Sequence, residues 1–187
     1  YTTELRQDPR VKQTYRTRFE QGSISIPNKL DQNVVIVTPE DETAFRQVNQ
    51  LRQRNTQEQI ALGAEGAVIT EKLAYLLGLQ ESDRLEFMDD DGNYQVIEIA
   101  AITENYAGHY IYLSVAGYEK VFASAYQPNS DFIVLQESDE SSVSSFAEEM
   151  LAKDIVLSMV NINLITDTIE ELMAALNVVV LVIILAS

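Results

Sequence analysis

The last twelve residues, Leu176 to Ser187, constrain this chain more than any other stretch, because they read LNVVVLVIILAS and carry no charge. Such a run is typical of a buried strand, a core helix or the beginning of a membrane-spanning helix. The wholly apolar part, Val178 to Ala186, is shorter than the roughly 20 residues that a span requires. Its β-branched residues also favour a strand, so composition alone leaves the three alternatives open.

The residues before this run favour the membrane alternative. Asp167 and Glu170 have the spacing of a capping box, with Asp in place of Ser or Thr. Neither Gly nor Pro separates this helix start from the apolar run, and no Lys or Arg follows Lys153, as expected on the non-cytoplasmic side of a span. We therefore expect a stalk helix over residues 166–187 that leads into a transmembrane helix. One face of its first turns carries Ile169, Leu172, Met173 and Leu176.

Charge is distributed unevenly along the 187 residues. Residues 1–60 contain 9 Lys/Arg and 8 Asp/Glu, a net charge of +1, whereas residues 61–187 contain 4 and 21, a net charge of −17. An acidic surface repels phosphate, so we expect no nucleic acid partner. A hydrophobic content of 46% is sufficient for a folded core, and the absence of cysteine excludes disulfides, thiolate metal sites and cysteine catalysis.

Hydrophobic periodicity predicts an α/β unit at the beginning of the chain. Alternation over residues 11–19 indicates a half-buried strand, and residues 22–28 are predicted to be a break with a short extended piece. The apolar run at 34–37 indicates a buried strand. The following TPED predicts a helix through Phe45 and Val48, with Thr38 as its cap and Pro39 in its first position.

The same pattern returns near the end, with a strand at 132–135, an amphipathic helix at 141–153 and a third strand at 154–162. The helix is predicted to turn one face inward, formed by Val143, Phe146, Met150 and Leu151.

The intervening segment has a different pattern. A helix that buries Leu73, Leu76 and Leu77 is predicted to end at Gly78. Two alternating stretches around DDDGN predict a hairpin, and 109–114 is predicted to be a strand before a short helix capped by Ser114. The fold class is therefore α+β. We expect a discontinuous α/β subdomain, an inserted β-rich subdomain and the stalk. Their predicted bounds are 1–60 with 131–165, 61–130, and 166–187.

The hairpin sequence FMDDDGNYQVIE also has features of a calcium loop. With Gly92 in the sixth position, Asp89, Asp91 and Glu98 occupy ligand positions, but the first position is Phe87, which has no carboxylate. The flanking stretches alternate as strands and not as helices. A simple hairpin turn is therefore predicted, and we expect no metal, no cofactor and no catalytic residue in this chain.

One group of residues is a candidate interaction surface. His109 is the only histidine and stands at the start of a predicted strand, where a solvent-facing or hydrogen-bonded role is more common than a catalytic one. Aromatic residues cluster around it and offer a docking surface, although core packing accounts for at least half of them. The candidate surface comprises Tyr106, His109, Tyr110 and Tyr112.

Four segments in this order resemble one protein family. They are GAVITEKLAYLLGLQESDRLEF, TENYAGHYIYLS, GYEKVFA and the terminal TIEELMAALNVVVLVIILAS. Together they resemble FtsX-like permeases of MacB-type ABC transporters, most nearly the large permeases of Gram-positive bacteria. One departure is the Ser82-Asp83 pair, where these permeases often read leucine-glycine-x-x-x-glycine-aspartate, and the turn before the strand is expected to differ.

The resemblance implies a domain on the extracytoplasmic side of the cell membrane, between two transmembrane helices. It implies that the discontinuous subdomain is porter-like and the insert sabre-like. It also implies three partners: a cognate ATP-binding subunit, a second permease or permease half, and a peptide or lipid-linked substrate. The chain is then not an enzyme, and it has no GxxxxGK[ST] loop for ATP. The alternative function is a membrane-anchored extracellular sensor or adhesion module.

Overall fold

The computed structural model describes residues 2–105, 108–137, 139–153, 156 and 158–159. The chain divides into two compact units, Thr2–Val134 and Leu135–Ser187 together with Tyr1. The predicted strand 154–162 falls largely outside the described residues, and the predicted stalk helix falls entirely outside them, including Ile169, Leu172, Met173 and Leu176. In the part of the chain that the structure describes, no helix is long and apolar enough to cross a membrane.

Seven strands form one mixed sheet, in the order β2-β6-β3-β5-β4-β1-β7. The β2–β6 and β3–β5 pairs are parallel, whereas β1–β2, β1–β4, β3–β6 and β4–β5 are antiparallel. Because β1 also pairs with β2, the first six strands close into a ring, which we call the closed sheet. The strands are β1 (Val11–Ile24), β2 (Gln32–Pro39), β3 (Ala67–Thr70), β4 (Arg84–Asp89), β5 (Tyr94–Thr103), β6 (Tyr110–Tyr112) and β7 (Ser130–Leu135).

Five helices accompany the sheet: α1 (Thr2–Gln7), α2 (Glu42–Phe45), α3 (Glu71–Leu77), α4 (Val115–Phe122) and α5 (Glu140–Leu151). The predicted α+β class is confirmed, since a mixed sheet is combined with separate helices. Strands from both sides of residue 61 belong to the same sheet, because β2 pairs with β6. The subdomain boundaries near residues 61 and 131 stay predictions.

The inner core lies on the enclosed face of the closed sheet. Strand alternation brings one face of each strand together: Ile24 lies opposite Phe87, and Ile36 and Ile69 both lie opposite Ile111. All these side chains are fully buried. Helices α3 and α4 complete this core with Leu73, Leu77 and Tyr118.

The outer core lies on the opposite face of β2, β3 and β6. Val37 and Val68 are both register partners of Tyr112. Phe45 from α2 and Leu62 cover this patch, with ring centroids of Phe45 and Tyr112 6.4 Å apart. The segment that follows β2 therefore folds back over the strand that it has just left.

Two sequence-based expectations near the beginning of the chain are wrong. The break predicted at residues 22–28 begins too early, because β1 continues through Gly22 to Ile24. The residues Thr38 and Pro39 do not begin a helix, since both are buried within β2. The cap of α2 is Asp41 instead, whose carboxylate accepts a hydrogen bond from the Ala44 amide at 3.0 Å.

Local signals elsewhere predict the structure well. Gly78 ends α3 in the left-handed conformation, with φ of 65°, and the Ser114 hydroxyl caps α4 by accepting from the Gly117 amide at 3.0 Å. The β4–β5 hairpin is confirmed. Leu76 was expected to share the buried face of α3 but is 37% exposed.

Helix α5 belongs to the second unit. The Asp139 carboxylate caps its first turn by accepting from the Ser142 amide at 3.0 Å. Phe146 and Met150 are buried as predicted, whereas Leu151 is 46% exposed and does not belong to the buried face.

Candidate interaction surface

A groove of about 610 Å³ crosses four strands of the closed sheet, and His109 and Tyr110 line it. Its walls come from the second half of β1, the start of β2, the end of β4 and the residues that lead into β6. The register brings these segments together, since Gly22 lies opposite both Val34 and Asp89, and Val35 lies opposite Tyr110. The side chains that give the groove its polar character include Gln21, Ser23, Asn33 and Asp90.

Gly22 allows the strands beneath the groove to approach closely. A Cβ atom at this position would lie 2.2 Å from the main-chain oxygen of Met88 and 2.6 Å from the ring of Phe87. Both contacts are far shorter than packing allows, so only glycine fits between β1 and β4 here. The residue is thus a packing requirement of the closed sheet.

His109 is held in place by its main chain and is half-buried. Its carbonyl oxygen accepts a hydrogen bond from the Val35 amide at 3.0 Å. Burial and the nearby positive charge of Lys72 lower the pKa of the imidazole, so the ring is neutral at neutral pH. Its Nδ1 atom is buried and has no hydrogen-bond partner among the described residues. A neutral ring has one donor nitrogen and one acceptor nitrogen, and the buried Nδ1 is not accessible to a ligand in the groove.

Tyr110 is half-buried beside the histidine, and its amide donates to the Thr70 hydroxyl at 3.3 Å. The chain reaches it through Gly108, which has φ of +76° and passes so close to the ring that a Cβ would lie 2.6 Å from it. His109 and Tyr110 are therefore the two members of the candidate surface that lie on the groove. Tyr106 falls outside the described residues.

Tyr112 belongs to the outer core and does not line the groove. Its side chain is only 6% exposed, and the Asn49 side-chain amide donates a hydrogen bond to the phenolic oxygen at 3.3 Å. Burial raises the pKa of the Tyr112 hydroxyl to about 12. Strand alternation could not distinguish the two tyrosines from the sequence, because Tyr110 and Tyr112 point to the same face of β6. Only the segment that carries Phe45, which covers this face, buries Tyr112.

The hairpin turn at the end of the groove uses its first carboxylate internally. Asp89 accepts hydrogen bonds from the amides of Asp91 at 3.0 Å and Asn93 at 2.7 Å, and from the Asn93 side-chain amide at 3.0 Å. These bonds, with the Asn93 side chain foremost, lower the pKa of Asp89. Among the described residues no group of three or more His, Cys, Asp or Glu side chains is arranged to hold a metal ion.

The groove thus offers hydrogen-bonding groups on an open surface that is partly polar and partly apolar. Sequence reasoning identified His109 and Tyr110 but missed Gln21, Ser23 and Asn33. These polar residues lie on two different strands, β1 and β2, and have no common local signal, so only the sheet register places them together.

Neither a family model nor a curated protein matches this sequence. The backbone is similar to those of several solved structures, among them the following three. The extracellular domain of the noncanonic ABC-type transporter YknZ from Gram-positive bacteria is 11% identical, with a TM-score of 0.44 over 78% of this chain and 75% of that chain. The periplasmic region of MacB from Actinobacillus actinomycetemcomitans is 13% identical, with a TM-score of 0.43 over 90% and 80%. A domain described as a permease protein from Porphyromonas gingivalis is 15% identical, with a TM-score of 0.39 over 82% and 76%.

Proposed function

We propose that this chain is the extracytoplasmic domain of an FtsX-like, MacB-type ABC transporter permease. The observation that carries the proposal joins sequence and structure. Three of the segments on which the family resemblance rests are 66–87, 103–114 and 117–123. They supply β3, α3 and β6 and most of β4 and α4. Their buried side chains meet in the inner core, so the resembling segments form one packed assembly and not scattered surface stretches.

In this function the domain itself catalyses nothing. A separate cytoplasmic subunit hydrolyses ATP, and a second permease or permease half completes the transporter. The domain couples that hydrolysis to export of a peptide or lipid-linked substrate, or to a mechanical output outside the cell. The porter-like part (1–60 and 131–165), the sabre-like part (61–130) and the stalk (166–187) belong to the proposal. The groove at His109 and Tyr110 is the surface that we assign to contact with a partner or substrate.

Cysteine accessibility tests the proposed location, because the chain has no cysteine of its own. Tyr75 is 84% exposed on α3, whereas Leu73 on the same helix is fully buried. In a permease with no other cysteine, Tyr75→Cys should react with a membrane-impermeant maleimide on intact cells. Leu73→Cys, the matched control, should react only after denaturation. Labelling of Tyr75→Cys only after the cells are broken would place the domain in the cytoplasm and refute the proposal.

A further inference from the structure

The first half of β5 has a free edge. Residues Tyr94–Glu98 pair with β4 on one side, but β3 pairs only with Ile99–Thr103 on the other. In the part of the chain that the structure describes, no strand pairs with Tyr94–Glu98 on this second side. The ring of strands therefore leaves an unpaired edge along the half of β5 that directly follows the hairpin turn.

The hydrogen-bond pattern of the hairpin shows which peptide groups lie at that edge. The Asp89 amide donates to the Asn93 carbonyl at 3.0 Å, and the Ile99 amide donates to the Asp83 carbonyl at 2.9 Å. The main-chain N–H and C=O groups of odd-numbered residues in β5 therefore point toward β4. Because these groups alternate in an antiparallel pair, the N–H and C=O groups of Tyr94 and Val96 point to the free side.

The side chains along this edge are apolar and exposed. Tyr94 is 66% exposed and Val96 is 58% exposed, and Tyr94 lies directly opposite the half-buried Met88. Natural proteins commonly protect such edges with Lys, Pro or a bulge, because unpaired backbone groups beside apolar side chains are a template for another strand. Tyr94–Glu98 reads YQVIE, which contains neither Lys nor Pro.

The charge around the edge is negative. Glu86 lies opposite Val96, and the exposed Asp90 and Asp91 lie at the hairpin tip. None of these three carboxylates has an ion-pair partner among the described residues, whereas Glu98 pairs with Arg84 at 3.4 Å. A second copy of this chain, with a net charge of −16, would bring like charges together. A cationic strand would complement them.

We propose that the free edge of β5 binds an extended cationic peptide segment by strand addition. Main-chain groups of the segment pair with Tyr94 and Val96, its apolar side chains contact those two residues, and its Lys or Arg side chains lie beside Glu86 and Asp90. This mode of recognition takes its affinity from main-chain hydrogen bonds and its specificity from alternate side chains. The inference goes beyond the proposed function and depends only on the β5 edge.

A labelled octapeptide of alternating valine and lysine tests the proposal by fluorescence anisotropy with the 187-residue chain in mild detergent. Binding should be saturable and should weaken with salt. Val96→Lys should raise the Kd about tenfold, which corresponds to about 1.4 kcal/mol. Leu30→Lys makes the same charge change at a residue that is 84% exposed outside the strands, between β1 and β2, and should leave the Kd within about twofold.

A second probe acts on the unmodified protein. The same octapeptide, N-methylated at every peptide nitrogen, keeps its charges but loses the main-chain donors of both edges, and it should bind at least about tenfold more weakly. Equal binding of the two peptides, or equal weakening by Leu30→Lys and Val96→Lys, would mean that only overall charge acts and would overturn the proposal. So would a dimer in sedimentation velocity that Val96→Lys dissociates, because a second copy would then occupy the edge.

Discussion

The guanidinium carbon of Arg18 lies 5.3 Å from the ring centroid of Tyr118. Both side chains also bind the carboxylate of Glu20: the Arg18 Nε donates to it at 2.5 Å and the Tyr118 hydroxyl at 3.0 Å. The three residues connect β1 to α4 across 98 residues of sequence. They form a partly buried polar cluster at the edge of the inner core.

Removal of the Arg18 side chain should destabilise the fold more than removal of an exposed arginine side chain. Arg18→Ala loses the stacking on Tyr118 and leaves Glu20 partly buried without its ion pair, so we expect a cost of about 2 kcal/mol. Arg84→Ala is the control, because its ion pair with Glu98 is long and exposed; it should cost no more than about 0.5 kcal/mol. Urea denaturation measures the free energy of unfolding of both variants. Equal losses would mean that the Arg18 cluster stabilises the fold no more than an exposed ion pair does.

The Tyr112 hydroxyl should matter for stability, whereas that of Tyr94 should not. Tyr112→Phe leaves the half-buried Asn49 amide without its partner, at an expected cost of about 1 kcal/mol. Tyr94→Phe removes a hydroxyl from a largely exposed side chain and should leave the free energy of unfolding unchanged. A stable Tyr112→Phe variant would contradict the importance of this hydrogen bond.

The contribution of Tyr112 to the free energy of unfolding should depend on pH, and the same two variants test this. The folded-state pKa of Tyr112, about 12, lies above the usual value of 10.0. The folded state therefore binds the proton more tightly, and the resulting stabilisation is complete below pH 10 and is lost as the pH rises toward 12. For a buried hydroxyl a difference of about two pKa units amounts to roughly 3 kcal/mol. The unfolding free energy of Tyr112→Phe should fall less steeply in this window than that of Tyr94→Phe.

Gly22→Ala should be strongly destabilising, because the added Cβ would collide with β4. We expect a loss of about 3 kcal/mol, typical of an overpacked core, seen as a lower midpoint in thermal unfolding. Gly63→Ala is the matched control, since its nearest neighbour would be 3.6 Å away. A neutral Gly22→Ala would show that β1 and β4 can separate without cost.

The hairpin should not bind calcium. Asp89 already accepts hydrogen bonds from the turn, and Phe87 at the first loop position is buried in the inner core. Calorimetry with millimolar calcium should give no heat. Asp89→Ala should instead speed amide exchange at Asp91 and Asn93, whereas Asp90→Ala should not. A saturable calcium signal that Asp91→Ala abolishes would prove the opposite.

The sequence predicts that residues 177–187 belong to a transmembrane helix that contacts lipid and are not part of the domain core. Deletion of this stretch should raise solubility and leave the melting temperature of the remaining chain nearly unchanged. A loss of many degrees would mean that VVVLVII packs inside the domain, and the membrane interpretation would then fail.

Local chemistry was sufficient for the elements that depend on neighbours in sequence. The hairpin at Gly92 and the helix end at Gly78 each require a left-handed backbone, which glycine adopts without strain. The cap at Ser114 satisfies amides only three residues away. These features follow from the sequence because every atom involved belongs to one short segment.

Other features depend on which strands become neighbours, and only the tertiary structure decided them. In the sequence, Gly22 looks like the end of a strand. In the structure, a glycine is required there because Phe87 from a distant strand occupies the space that a side chain would need. Tyr110 and Tyr112 have the same type and the same strand face, yet the segment that carries Phe45 covers only one of them completely. The burial of a side chain depends on which distant segment packs against it, and the pattern of a single sequence does not identify that segment.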